Sequence, residues 1–344
     1  MLFEQYVIEI IEGRRSSFFI KEILLGFSFV YRFFVELRHK LYDTKWLKSY
    51  QAQVPVVSIG NIVAGGVGKT PLVKKLAEEL SKKRKLAILT RGFRSIVDKT
   101  GGALLWKGED ASLCGDEPFW LGSKLPQVDL WIGKNRVQSA ENATLHGAEI
   151  LLLDDGMQHR RLARDADIVV MDAEDLWGGG YFLPRGLLRD LPSRLKAARL
   201  IVLMQVRDQD ALERARRAIE KYTKAPLVGM RLEVTADLRG KKVGLFCALG
   251  RPHRFLRTVN ERGAIVKAEM YGLDHHSFTR EELTNFSNKA SNLGAELLVC
   301  TEKDSVKLPS DLQLSLPITP LPAELKINAG EEHWNYLIKE LLHD

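Results

Sequence analysis

Val54-Pro55-Val56-Val57-Ser58-Ile59-Gly60-Asn61-Ile62-Val63-Ala64-Gly65-Gly66-Val67-Gly68-Lys69-Thr70-Pro71 is the stretch that decides the fold. Val54 to Ile59 reads as a strand that is apolar apart from Ser58. Strands of that kind are buried on both faces, which means a parallel sheet covered by helices. From Thr70 to Lys83, the residues Leu72, Val73, Leu76, Ala77 and Leu80 fall on one helical face. Between strand and helix lies what a phosphate loop needs. Gly65, Gly66 and Gly68, with Val67, let backbone N–H groups converge on phosphate oxygens, and the helix N-terminus adds its positive end. Lys69 can reach the β- and γ-phosphates of ATP, and the Thr70 hydroxyl can bind Mg²⁺. Pro71 suits the first helical turn, where its missing N–H costs little. Val63 stands where the strict pattern has glycine, so the loop is a deviant form in which Gly65-Gly66 makes the tight turn. A plain glycine-rich turn would account for the glycines but not for Gly68-Lys69-Thr70 at the helix entrance.

Outward from this loop, apolar runs of strand length alternate with helical patterns. Leu86 to Thr90, Val128 to Ile132, Ile150 to Leu153, Ile168 to Met171 and Leu200 to Met204 continue the series. The core is therefore expected to be α/β, a P-loop NTPase-like doubly wound parallel sheet. A second series starts near Lys241. It has a strand at Val243 to Ala248, a helix from about His253, a helical stretch around Glu281 to Leu293, and a buried strand at Leu297 to Cys300. These predict a second, smaller α/β domain, with the boundary between residues 225 and 242. The expected division is 1–45 for an N-terminal amphipathic helix, 46–234 for the P-loop core and 235–344 for the smaller domain.

Glu149-Ile150-Leu151-Leu152-Leu153-Asp154-Asp155-Gly156 is the expected partner of the P-loop. An apolar strand ending in acid delivers a carboxylate that can hold the metal or its waters, so Asp154 and Asp155 are candidate metal ligands. Gln158-His159-Arg160-Arg161 then offers polar and cationic groups on the same edge. Transfer to an alcohol needs a base. Asp116, in Gly115-Asp116-Glu117-Pro118, is one candidate; His275 and His276, in Asp274-His275-His276-Ser277-Phe278, can polarise or relay the proton. For a lone Asp or His, an N-cap or a satisfied core histidine is the commoner fate. Arg91, Arg136 and Arg189 stand at expected strand C-terminal ends, where open α/β sheets bind ligands, and can clamp an anion.

The whole chain allows this reading. Its 344 residues suffice for about two domains. Hydrophobic residues at 45% and charged residues at 28% are a globular balance that excludes extended disorder. A net charge of +7 is compatible with nucleic acid, an anionic membrane or phosphorylated substrates. Cys114, Cys247 and Cys300 are far apart, with neither metal-ligand spacing nor a disulfide framework, which points to a reducing compartment. Phe18 to Leu37 is rich in large apolar side chains, but Lys21, Glu22, Arg32 and Glu36 interrupt it, so it fails as a spanning helix. Wound as a helix, it gathers Lys21, Glu22, Ser28, Arg32 and Glu36 on one side. The opposite side carries Phe19, Ile20, Ile23, Phe27, Val30, Phe34 and Leu37. With basic flanks at Arg14-Arg15 and Arg38-His39-Lys40, this suits a helix lying in the surface of an anionic bilayer. It is no secretory signal, because charge breaks the apolar run. The bland alternative is an amphipathic helix packed on its own domain.

With these motifs in order, the chain resembles the tetraacyldisaccharide 4′-kinases, the lipid A 4′-kinases of Gram-negative bacteria. The resemblance rests on Gly60-Asn61, on Gly65-Gly66-Val67-Gly68-Lys69-Thr70-Pro71, and on Thr90-Arg91-Gly92-Phe93. It continues through Gly115-Asp116-Glu117-Pro118, Lys134-Asn135-Arg136, Asp154-Asp155-Gly156-Met157-Gln158-His159 and Leu183-Pro184-Arg185-Gly186-Leu187-Leu188-Arg189. Asp274-His275-His276 and Thr301-Glu302-Lys303-Asp304 extend it into the smaller domain. It implies ATP- and Mg²⁺-dependent phosphorylation of the 4′-hydroxyl of an acylated glucosamine disaccharide 1-phosphate. The setting it implies is the cytoplasmic face of the inner membrane, with a peripheral or monotopic protein. It further implies Lys69 and Thr70 on phosphate and metal, with Arg91 and Gln158 beside ATP. Asp116 would be the base, supported by His275, and Asn135, Arg136, His159 and Arg189 would meet the acceptor. Leu183-Pro184-Arg185 and Leu187 depart from the family's usual residues in that segment. Two rival classes fit less well. Switch ATPases of the deviant P-loop group use a lysine where Ala64 stands, and no basic and aromatic interleaving of the nucleic-acid-binding kind occurs.

Overall fold

The computed structural model describes residues 17–92, 95–100, 102–273, 276–309 and 311–342. The chain opens with helix α1 (Phe18–Asp43), then β1 (Val56–Gly60), whose five residues are all buried. Helix α2 (Lys69–Leu80) follows, and buries the predicted face of Leu72, Val73, Leu76, Ala77 and Leu80. Next come β2 (Leu86–Thr90), α3 (Ile96–Thr100), β3 (Leu104–Leu105), α4 (Ala111–Cys114) and α5 (Asp116–Lys124). After β4 (Asp129–Ile132), α6 (Arg136–Leu145) and β5 (Ile150–Asp154), the chain continues through β6 (Ala166–Asp172), β7 (Leu200–Met204), α7 (Gln209–Ile219) and β8 (Leu227–Val234). The smaller sheet is built from β9 (Lys242–Cys247), α8 (Pro252–Glu261), β10 (Ile265–Tyr271), α9 (Arg280–Asn292), β11 (Leu297–Thr301), α10 (Glu302–Ser305) and β12 (Ile318–Leu321). The final elements are β13 (Ala323–Ala329) and α11 (Glu331–Leu342).

The large sheet has nine strands in the order β13-β8-β7-β6-β1-β5-β2-β4-β3. Its seven central strands run parallel; β3 and β13 are antiparallel to their neighbours at the two edges. The fold is α/β and doubly wound, as the apolar strands require. β1 pairs with β5 on one side and β6 on the other, so the sheet changes direction of travel there. That switch point opens a crevice at the carboxyl ends of the strands, and the P-loop leaves β1 into it.

The smaller sheet is parallel, in the order β10-β9-β11-β12. Its extent differs from the division expected at 235–344. After β12 the chain returns to the large sheet, where β13 pairs with β8 across Ala323–Val234 to Ala329–Gly229. Helix α11 then packs on the α2 face, with Trp334, Leu337 and Leu342 buried in the same core as Leu72 and Leu76. The smaller unit is therefore an insertion between two neighbouring strands. β8 and β13 escape a hydrophobic scan because both carry charged residues, Arg231 and Glu233 in one and Glu324 and Lys326 in the other.

Helix α1 is longer than its apolar run and touches the body along a narrow stripe of Ser28, Val35 and His39. Phe19, Phe27 and Phe34 are 79%, 60% and 61% exposed, so the aromatic face points away from the body. Ser28, on the polar side as expected, faces the body and donates to the Phe182 carbonyl at 2.7 Å. Arg32 and Glu36 pair on the surface at 2.7 Å. Among the described residues, no helix is long and apolar enough to cross a membrane.

Candidate active site

Three devices shape the P-loop. Gly60 ends β1 where a Cβ would come within 2.5 Å of the Met157 Cβ, so glycine lets the strand end and the 155–157 turn lie side by side. Gly65 and Gly68 take φ of 104° and 90°, left-handed conformations that favour glycine. Ala64 N donates to the Leu187 carbonyl at 2.7 Å, which pins the start of the loop to the 182–190 segment. Val63 explains the deviant pattern: its side chain is buried in a core with Val169 and Leu188.

Lys69, the first residue of α2, donates from Nζ to Asn61 Oδ1 at 3.1 Å and lies 3.4 Å from Asp155 Oδ1. Asp155 takes φ 51° at the end of β5, and Arg189 forks onto its carboxylate, with Nη1 to Oδ2 at 3.0 Å and Nη2 to Oδ1. Burial works to raise the Asp155 carboxyl. The Arg189 hydrogen bonds and the Lys69 charge outweigh it and hold the group well below the usual carboxylate range. Its neighbour Asp154 is treated oppositely. Burial, joined by the charges of Glu117 and Asp155, pushes it up to about 6, and its hydrogen bond from Thr90 Oγ1 at 3.0 Å offsets only part of this.

These two aspartates differ in what they lack. Asp155 has its cations; Asp154 is a buried carboxylate that a divalent cation would satisfy. Thr70 lines the same cleft as Asp154 and Asp155. Among the described residues, no three His, Cys, Asp or Glu side chains form a metal cage. A donor set of one hydroxyl and one or two carboxylates fits Mg²⁺, which keeps waters and takes phosphate oxygens for the rest of its shell.

The cleft has a volume of about 1960 Å³ and lies between the carboxyl edge of the large sheet and the smaller sheet. The P-loop residues Gly65 to Thr70, with Arg91, Asp116, Arg136, Gln158, His159 and Arg189, line it. The smaller unit contributes Arg251, Arg254, Ser277, Lys303 and Lys307. Asp116 begins α5 after Gly115 at φ 95°, and Lys307 reaches it from the smaller unit at 3.0 Å. Lys303 reaches Glu117 in the same way at 3.2 Å.

The expected binding residues divide into three groups. Arg136 is buried and His159 half-buried in the cleft wall, and Arg136 Nε and His159 Nε2 have no hydrogen-bond partner among the described residues. Burial draws Arg136 down to about 10, a guanidinium that is charged at neutral pH all the same. Burial, with Arg136, Arg161 and Arg164 nearby, draws His159 down to about 4, so it is neutral at physiological pH. Gln158 and Arg189 line the cleft and are also held by neighbouring groups. Gln158 Nε2 donates to the Asn61 carbonyl and to Asp190 Oδ2, each at 3.0 Å, and Arg189 is engaged by Asp155 and Asn61. Arg91 faces the cleft edge with Asp98 at 2.8 Å.

Asn135 caps α6: its side chain accepts from Gln138 N, while Lys134 and Arg136 on either side of it line the cleft. His275 lies outside the described residues. His276 turns to Glu282 at 3.3 Å and meets the Phe278 ring edge-to-face, away from the cleft lining.

Sequence reasoning missed Asn61, Thr90, Lys307 and the buried pair of His39 and Asp190, whose Nε2 and Oδ1 lie 2.6 Å apart. Asn61 and Thr90 stand inside the quoted motifs Gly60-Asn61 and Thr90-Arg91-Gly92-Phe93, which carry no local sign of their roles. Lys307 carries no local signal, because only the docking of the smaller unit brings it to Asp116.

Comparison with known proteins agrees with this geometry. The family described as Tetraacyldisaccharide-1-P 4′-kinase matches residues 20–343. A tetraacyldisaccharide 4′-kinase of Chlamydia pneumoniae is 36% identical over 313 residues, which is 83% of this chain and 82% of that protein. One from Anaeromyxobacter dehalogenans is 40% identical over 296 residues, 79% of this chain and 77% of that protein. The solved structure of LpxK from Aquifex aeolicus in complex with ATP superposes with a TM-score of 0.73 at 29% identity, covering 94% of this chain and 99% of that one. From its P-loop to its C-terminal helix, the chain belongs to the tetraacyldisaccharide-1-P 4′-kinase family.

Proposed function

We propose that this cleft transfers the γ-phosphoryl group of ATP to the 4′-hydroxyl of a tetraacylated disaccharide 1-phosphate, at the surface of a membrane. The observation that carries the reading is the meeting of Lys69, Asp154, Asp155 and Asp116 in one cleft beside a helix with an outward aromatic face. Phosphoryl transfer asks the protein mainly for positioning and charge neutralisation. The P-loop amides and Lys69 hold the triphosphate, while Asn61, Asp155 and Arg189 fix where Lys69 points. Mg²⁺, held by Thr70 and Asp154, would supply charge neutralisation of the β- and γ-phosphates. Asp116, oriented by Lys307, takes the proton of the acceptor hydroxyl as its oxygen attacks the γ-phosphorus; the bond to the β-phosphate oxygen breaks and ADP leaves. His275, by its place in Asp274-His275-His276, is proposed to support that base. The buried Arg136 is assigned to anionic ligand, with neutral His159 as a hydrogen-bonding neighbour. The outer face of α1, with no secretory or spanning character, is assigned to the lipid surface, and nucleic acid has no part in this reading.

Incubating the protein with γ-labelled ATP, Mg²⁺ and the tetraacyldisaccharide 1-phosphate in detergent micelles should put label on the lipid. Asp116→Asn should keep ATP binding and lose about 10²- to 10⁴-fold in kcat. Unchanged turnover would remove Asp116 from the base role. An unlabelled lipid, with ATPase activity stimulated by DNA, would overturn the kinase reading altogether.

A further inference from the structure

Arg38 lies on the inner side of α1 and lines the cleft. Its Nε and Nη2 are shut off from solvent and have no hydrogen-bond partner among the described residues. Four other arginines of the cleft have carboxylate partners. Arg189 is engaged by Asp155, Arg91 by Asp98, and Arg251 and Arg254 by Asp172. No carboxylate among the described residues stands within ion-pair distance of Arg38, although a guanidinium stays charged under all relevant conditions. Removing such a charge from water is costly until an acceptor replaces the lost hydration.

The surroundings specify the missing acceptor. Tyr31 sits seven residues earlier on the same side of α1, lines the same cleft, and donates its hydroxyl to the Arg189 carbonyl at 3.2 Å. Burial raises the Tyr31 phenol while the charges of Arg38 and Arg189 pull it down, which puts Arg38 within electrostatic reach of that hydroxyl. The opposite face of this same helix is the exposed aromatic one. An anion bound at Arg38 therefore lies at the boundary between the lipid-facing helix and the phosphoryl-transfer cleft.

We propose that Arg38 anchors the phosphate group carried by the lipid acceptor, holding it at the junction of α1 and the cleft. A guanidinium can meet phosphate oxygens through two parallel hydrogen bonds, which orients the group as well as binding it. The acyl chains then follow the outer face of α1, and the far end of the disaccharide reaches toward Asp116. This is a positioning and specificity role, and it rests on the kinase reading above. The shared chemistry, a phosphate, has a second source in the phospholipids of the surrounding surface.

The test uses the full chain in neutral mixed micelles with two acceptors, the acylated disaccharide with its phosphate and the same lipid without it. Arg38→Gln should raise KM for the phosphorylated acceptor roughly ten- to a hundredfold. It should leave KM for ATP and the kinetics on the phosphate-free acceptor unchanged, and Arg38→Lys should recover part of the loss. Equal losses on both acceptors, or a shifted KM for ATP, would overturn the subsite and make Arg38 structural. Weaker retention on phosphatidylglycerol vesicles, with the acceptor preference unaltered, would assign the anion to bilayer phospholipid and overturn it as well. No transfer by the wild-type chain to either acceptor would overturn the kinase reading itself, a result distinct from the other two.

Discussion

Asp154 and Asp155 are neighbours in sequence and opposites in environment, and that opposition has a measurable consequence. The folded-state value of Asp154, about 6, lies above its ordinary value of 3.8. As pH rises between those two values the unfolded chain gives up its proton first, so the folded state loses stability across that window. Above pH 6 the penalty is complete, at about 3 kcal/mol. Asp154→Asn removes it, so without Mg²⁺ the variant should melt above the wild type at pH 7.5, and the gap should close as pH falls below 4. Mg²⁺ with ATP should raise the wild type's Tm more than the variant's. Calorimetry across that pH range checks both points; a variant melting below the wild type at pH 7.5 would remove burial of charge as the dominant effect. The acidic pair itself was legible, because an apolar strand ending in Asp-Asp-Gly announces it. Which aspartate is left without a cation was not, since that depends on Arg189 from a distant segment.

At the scale of elements, α1 shows what periodicity can and cannot give. Its apolar face was legible from spacing, and that face stays exposed. Its docking stripe was not, because Ser28, Tyr31 and His39 are polar side chains held by hydrogen bonds to Phe182, Arg189 and Asp190. Removing the helix outright would break those bonds and confuse lipid affinity with folding. Substitution of the outer face separates the two. Phe27→Ser with Phe34→Ser touches no buried position, so Tm should hold. Each lost phenyl should cost about 1.5–3 kcal/mol of apolar transfer, or roughly tenfold or more in partitioning. Co-sedimentation with anionic vesicles reads the loss directly. Undiminished retention of the double variant would show that another surface holds the membrane.

For the molecule as a whole, the consequential feature is that the chain leaves the large sheet after β8 and returns with β13. Apolar runs revealed the parallel strands because those are buried on both faces; β13, an edge strand with alternating Glu324, Lys326 and Asn328, has no such run. The insertion predicts how the chain can be cut. Ending it after residue 322 would strip β13 from the β8 edge and remove Trp334, which is 1% exposed and donates from Nε1 to Glu79 at 2.9 Å. Open strand edges and uncovered apolar cores aggregate, so this truncation should be insoluble. Removing residues 236–321 is different. Val234 and Ala323 are register partners, and Thr235 N already donates to the Pro322 carbonyl at 3.0 Å. An Asn-Gly turn can therefore join Thr235 to Pro322 as a hairpin. That variant should be soluble, melt in one cooperative step and still bind ATP through its intact P-loop. It should transfer no phosphate, because Lys307 and Lys303 no longer reach Asp116 and Glu117. Soluble yield, a thermal melt and binding of a fluorescent ATP analogue decide the matter. A soluble truncation beside an insoluble hairpin variant would show that β13 and α11 belong to the smaller unit after all.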